Sequence, residues 1–194
     1  MIIITLGDPL SINVELVASY LHSEPIGNMS IVIVGSHQLY SQQSQDLDLN
    51  HKMTKIHSWS QIKGAGIWFY DIDPILKYHH LSLHNPLRRG EHAVTALEQL
   101  RLLKPCAPLC VITCPIDKGA CQQAGFLFPG QTEFFEDLWN DRAVMLLAGK
   151  KLRVGLVTNH VPLSRVASLL STELIMQKAR ILARSVKDIF RIAT

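Results

Sequence analysis

The sequence predicts an α/β fold with a parallel sheet, and three observations carry that expectation. Short runs rich in Ile and Val stop at turn residues, helical apolar stripes follow them, and the alternation of strand and helix extends along the chain. The first run, Ile2 to Leu6, is apolar at nearly every position and ends at Gly7-Asp8-Pro9, which suits a strand covered on both faces. Asn13 to Leu21 follows as a helix with Val14, Val17, Ala18 and Leu21 on one stripe. Ile31 to Val34, closed by Gly35, is the second strand, and Ile67 to Tyr70 a shorter third. Between these two, Ser41 to Lys55 is polar and irregular and reads as a surface loop with at most a short helix.

From Gly90 the spacing of Ala93, Leu97, Leu100 and Leu103 predicts a helix that Pro105 and Pro108 end, and Leu109 to Thr113 is the next strand. Ala143 to Ala148 and Leu152 to Thr158 are apolar runs split by Gly149-Lys150-Lys151, a tight connection. The last element is a long helix over residues 172–191, with Thr172 as its N-cap, Glu173 at its positive end, and Ile175, Ala179, Leu182, Val186 and Ile189 along one face. The organisation expected is two lobes, 1–108 and 109–194, the second incomplete.

Composition narrows the function classes. The 194 residues are 47% hydrophobic and 18% charged, enough to bury a core. A net charge of +3 without a dense basic run argues against nucleic acid. No apolar stretch has the length of a bilayer span, and the opening residues read as a strand rather than a signal peptide, so the cytoplasm is the expected location. Cys106, Cys110, Cys114 and Cys121 lack the paired spacing of a structural zinc site, and Cys110 and Cys114 are expected as small buried hydrophobes. His79, His80 and His84 cluster without a motif, in a stretch expected at the surface.

Four ordered segments carry a resemblance: Ile4-Thr5-Leu6-Gly7-Asp8-Pro9 with Glu15 shortly after, Val111 to Gly119, Gly130 to Phe135, and Leu152 to Leu163. Together they resemble the NAD-dependent 4-hydroxythreonine-4-phosphate dehydrogenase family of vitamin B6 biosynthesis. The resemblance implies an α/β/α sandwich like those of isocitrate and isopropylmalate dehydrogenases, in a homodimer with active sites at the subunit interface. It implies oxidation of a small phosphorylated hydroxy amino acid by hydride transfer to NAD, followed by loss of carbon dioxide. A divalent metal (zinc, magnesium or cobalt), held by three histidines from both subunits, polarises the alcohol oxygen in that chemistry.

Residue by residue, His160 matches the first metal histidine and is expected at the carboxyl end of a buried strand, pointing into a cleft. One histidine does not hold such a metal by itself. Thr132 matches a substrate-contacting threonine, and its hydroxyl at a helix start also suits a plain cap. Gln131 stands where the family has a substrate-contacting histidine; it can donate and accept hydrogen bonds but cannot titrate near neutral pH. Lys118 lies in the family's Pro-Ile-Asn-Lys-like loop, here with Asp117, and either meets a phosphate or carboxylate or is a solvated loop charge.

Leu10 to Val14 replaces a glycine-rich turn, which leaves Asp8 as a candidate cap. Family members continue past Ile192-Ala193-Thr194 through two more metal histidines and most residues that bind NAD and phosphate. No cofactor-binding or catalytic residue is therefore assigned in this chain. Two readings follow: a dehydrogenase that works as a homodimer or with a missing C-terminal chain, or a catalytically inactive truncated homolog acting as a dimerising or regulatory remnant.

Overall fold

The computed structural model describes residues 1–76, 84–103 and 109–190, with side chains through 188. His79, His80, Cys106, Pro105, Pro108, the side chain of Ile189, and the chain from Arg191 onward lie outside the described residues. The chain divides into two compact units, Met1–Glu133 and Phe134–Thr194. This division falls later than the 108/109 boundary expected from sequence, because the strand after that boundary joins the first sheet.

The first unit is built on β1 (Ile2–Thr5), β2 (Ser30–Gly35), β3 (Thr54–Ile56), β4 (Gly66–Asp71) and β5 (Cys110–Thr113). All neighbours pair in parallel, in the order β3-β4-β2-β1-β5. Ile31 through Val34 of β2 are 0–1% exposed, so this strand is covered on both faces, as a continuous apolar run requires. Each such side chain contributes about 1.5–3 kcal/mol of burial.

α1 (Asn13–Ser23) presents Val14, Val17, Ala18 and Leu21 to a cluster with Ile4, Ile31, Ile33 and Phe69, which is the stripe read from sequence. α2 (His37–Asp46) joins that layer through Tyr40. α3 (Pro86–Glu98) packs on β1 and β2 and lies against α4 (Lys118–Gln123). It starts earlier than the sequence indicated, because Asn85 accepts a hydrogen bond from Leu87 N–H and Pro86 pre-sets the first turn. A short 3-10 turn, Gln99–Leu102, closes it.

Two expectations for the first unit are corrected. Ser41 to Lys55 is not mainly loop: α2 occupies its first part and β3 its end. α2 is polar, but Ser36 caps it through Leu39 N–H, and Tyr40 and Leu39 anchor it in the core. Burial pushes the Tyr40 phenol up to about 12. Cys110 is exposed rather than buried, since β5 is an edge strand, whereas Cys114 and Cys121 are buried.

The second unit holds β6 (Leu146–Ala148) and β7 (Arg153–Gly155), an antiparallel hairpin closed by Gly149 N–H to Leu152 O. That connection matches the expected one. β7 is shorter than the run Leu152–Thr158 and is mostly exposed, which corrects the expectation of a strong buried strand. α5 (Gln131–Trp139) enters this unit from the first. α6 (Leu163–Leu169) and α7 (Thr172–Phe190) complete it.

Ser171, not Thr172, caps α7, accepting from Leu174 N–H. The half-buried residues of α7 are Leu174, Lys178, Ile181, Leu182, Ser185 and Val186, so Leu182 and Val186 of the face expected from sequence lie on the packed side, while Ile175 and Ala179 are exposed. Lys178 Nζ donates to Ala143 O at 2.7 Å on that packed side. No described helix is long and apolar enough to cross a membrane.

Candidate functional site

β1 and β5 are neighbours, so the loops at their carboxyl ends meet, where open α/β sheets place ligands. Gly7 is required there: a Cβ on it would stand 2.0 Å from Pro115 O. Asp8 N–H donates to Pro115 O at 3.0 Å, and Asn13 Nδ2 donates to both Asp8 O and Pro115 O at 3.1 Å. Asn13 thus ties the turn together. Asp8 does not cap α1; its Oδ1 accepts from Leu10 N–H two residues on, a local turn.

The other Asp8 oxygen meets Arg89 at 3.0 Å, and the same guanidinium reaches Asp117 Oδ2 at 3.3 Å. Asp117 Oδ1 accepts from Ala120 N–H and caps α4. One arginine therefore joins the β1 loop, the β5 loop and α3, and two carboxylates offset its charge. Sequence reasoning did not single out Arg89. Nor did it single out His92, three positions further along α3, although a polar residue inside the stripe of Ala93, Ala96 and Leu97 is a usable signal.

His92 is 2% exposed and bridges two loops. Its Nε2 accepts from Ser36 N–H at 3.1 Å, so Nδ1 carries the hydrogen that faces Gly7 O at 3.0 Å. Burial pulls the imidazole down to about 4, against the Gly7 carbonyl and the Asp8 charge, so it is neutral near pH 7. Burial also pushes the Cys114 and Cys121 thiols up to about 11, which leaves them poor nucleophiles.

The structure brings Lys118, Gln131 and Thr132 together within the first unit. Lys118 is the exposed first residue of α4, and its Nζ lies 3.9 Å from the point a Gly130 Cβ would occupy. Glu133 Oε2 lies 3.1 Å from that same point, so an ammonium and a carboxylate flank Gly130. Gln131 opens α5 and donates from Nε2 to Cys114 O at 3.3 Å. Its Oε1 is buried without a hydrogen-bond partner. Thr132 is exposed and sits second in the helix, not at its cap. The arrangement can receive a hydroxyl or ammonium on Gln131 Oε1 and an anion on Lys118 and the open N–H groups of α5.

His160 belongs to the second unit. It is exposed, at φ 55° in the bend between β7 and α6, a left-handed conformation in which histidine is enriched. Its placement after a buried strand is therefore not observed. Among the described residues, no three His, Cys, Asp or Glu side chains stand close enough to hold a metal ion. The described donors by themselves do not make up the three protein ligands typical of a catalytic divalent metal.

Comparison with known proteins places this geometry in a family. The family model described as pyridoxal phosphate biosynthetic protein PdxA matches residues 28–194. A 4-hydroxythreonine-4-phosphate dehydrogenase from Sulfurihydrogenibium sp. is 30% identical over 194 residues, covering 98% of this chain and 59% of its own length. One from Pseudomonas aeruginosa is 45% identical over 84 residues, 43% of this chain and 26% of its own.

The solved structure of the Klebsiella pneumoniae 4-hydroxythreonine-4-phosphate dehydrogenase shares the fold at TM-score 0.79 and 22% identity, over 96% of this chain and 59% of that one. The Burkholderia phymatum enzyme gives 0.78 and 20%, over 95% and 57%. The chain thus spans about three-fifths of the length of most of these relatives. On the match over residues 28–194, the chain belongs to the PdxA family of pyridoxal phosphate biosynthetic proteins.

Proposed function

We propose that this chain supplies the substrate-holding part of a 4-hydroxythreonine-4-phosphate dehydrogenase centre, in which a secondary alcohol is oxidised by NAD and carbon dioxide is then lost. The observation that supports this reading is the convergence of Lys118, Gln131 and Thr132 at the start of α5. Lys118 and the helix N-terminus hold the anionic end of a small phosphorylated hydroxy amino acid. Gln131, fixed by Cys114 O, accepts from a substrate hydroxyl or ammonium through Oε1. Having no titrating group, it orients without moving a proton.

Arg89 and His92 hold the loops. NAD supplies the hydride acceptor, and no residue of this chain is assigned to it. His160 is offered as a single donor, and no step is derived through a metal.

Turnover on this reading requires the portion of the family fold outside the matched region. The test is NADH formation from NAD and 4-phospho-hydroxy-L-threonine with added zinc, magnesium or cobalt. The purified chain is assayed alone and with the unmatched portion of the Klebsiella pneumoniae relative. NADH is expected only from the mixture. A silent mixture of two folded, associated components would leave the inactive dimerising or regulatory homolog as the better reading.

A further inference from the structure

Two side-chain oxygens buried beside the loop after β1 lack a protein partner. Tyr40 is 1% exposed and Asn13 2% exposed. Among the described residues, neither the Tyr40 hydroxyl nor Asn13 Oδ1 makes a hydrogen bond. Leaving such an atom unpaired is strongly unfavourable, and folded proteins pair it with protein or with ordered water. Rotation does not supply a partner here. Asn13 Nδ2 donates to both Asp8 O and Pro115 O at 3.1 Å, which fixes the amide and leaves Oδ1 in need of a donor. The Tyr40 ring packs against Phe69 at a centroid distance of 5.3 Å. Its hydroxyl lies on the ring axis, so a ring flip leaves the oxygen in place. Neighbouring polar groups are already engaged: His92 Nε2 accepts from Ser36 N–H, and Gln43 Nε2 donates to Pro9 O at 2.9 Å.

Tyr40 and Asn13 line one small cavity of about 10 Å³, together with Gly7, Asp8, Pro9 and Gln43. That volume takes one water and nothing larger. We propose that this cavity is a binding site for a single structural water, which accepts from the Tyr40 hydroxyl and donates to Asn13 Oδ1. The Gly7-Asp8-Pro9 turn lines the same cavity, and its oxygens offer acceptors for the second water hydrogen. The water then makes the three or so hydrogen bonds usual for a buried one. Burial pushes the Tyr40 phenol up to about 12, so it stays an O–H donor at neutral pH.

Such a water joins α2, through Tyr40, to α1, through Asn13. The Asn13 amide carries the link onward to the loops after β1 and β5. α2 is thereby tied to the turn that presents Asp8 to Arg89. None of this depends on which substrate the chain takes.

Two measurements on the full chain test the site. A high-resolution crystal structure is expected to show one ordered water within about 3 Å of both the Tyr40 hydroxyl and Asn13 Oδ1. Tyr40→Phe keeps the ring packing and removes only the hydroxyl. Its urea midpoint is expected to fall below that of the native chain, because the water loses a partner. In a dry cavity the sign reverses, since deleting an unpaired buried hydroxyl raises the midpoint. A dry cavity, a direct Tyr40–Asn13 hydrogen bond, or a cation in place of the water overturns the proposal. So does a water that touches only one of the two oxygens, or a Tyr40→Phe midpoint equal to or above the native one.

Discussion

Gly90→Ala destabilises the first unit by about 3 kcal/mol, the upper range of overpacking in a tight interior. A Cβ at this position would stand 2.0 Å from Ala120 O, 2.4 Å from Ala120 C and 2.9 Å from Cys121 N. All three are backbone atoms, so no rotamer change relieves the clash, and α3 must move away from α4. That movement also shifts Arg89, and with it the Asp8 and Asp117 carboxylates that join the two site loops. Gly119→Ala is the control: its Cβ would make an ordinary 3.4 Å contact inside α4, so it leaves stability unchanged or raises it by up to about 1 kcal/mol. Urea denaturation of both variants measures the difference. Equal stabilities would contradict the close approach of the two helices.

Lowering the pH from 7 to 4 removes about 3 kcal/mol of stability through His92. The sign follows from where the proton binds. Burial holds the native imidazole down to about 4, while the unfolded one titrates near the ordinary value of about 6.5. Between those values the unfolded chain carries a proton that the native chain refuses. The contribution is therefore complete above about pH 6.5 and is lost as the pH falls toward 4.

Protonation also puts a hydrogen on Nε2, which must then give up the Ser36 N–H. His37 and His51, likewise lowered first by burial, add slope of the same sign. The comparison that isolates His92 is therefore the pH profile of the native chain against His92→Gln, by chemical denaturation across pH 4 to 7. The native profile falls more steeply with acid, and parallel profiles would contradict the assignment.

What could be read from sequence depended on how each element earns its stability. β1 and β2 were legible because strands buried on both faces need unbroken apolar runs, and α1 because its buried stripe is strictly periodic. α2 and β3 were not, because each is held by a few contacts rather than a pattern: a Ser36 cap with Tyr40 in one, Ile56 at 1% exposure in the other. β7 shows the reverse failure, since an apolar run suggested burial that the strand does not have.

At the site, Lys118, Gln131 and Thr132 were named from the motif that carries them, and the structure adds their proximity. Arg89 and His92 were invisible because their importance lies in partners 81 and 85 residues away along the chain. No local pattern encodes such a pairing. His160, read as the end of a buried strand, shows how a matched motif can fix a residue's identity without fixing its surroundings.

The most direct test of the assigned substrate seat is an NMR titration of the chain with 4-phospho-hydroxy-L-threonine, following the backbone amides of Lys118 and of Gly130 through Glu133. Saturable shifts confined to those residues, with at least tenfold weaker binding in Lys118→Ala, are the expected result. Shifts elsewhere with these amides silent, or an affinity untouched by Lys118→Ala, would contradict it.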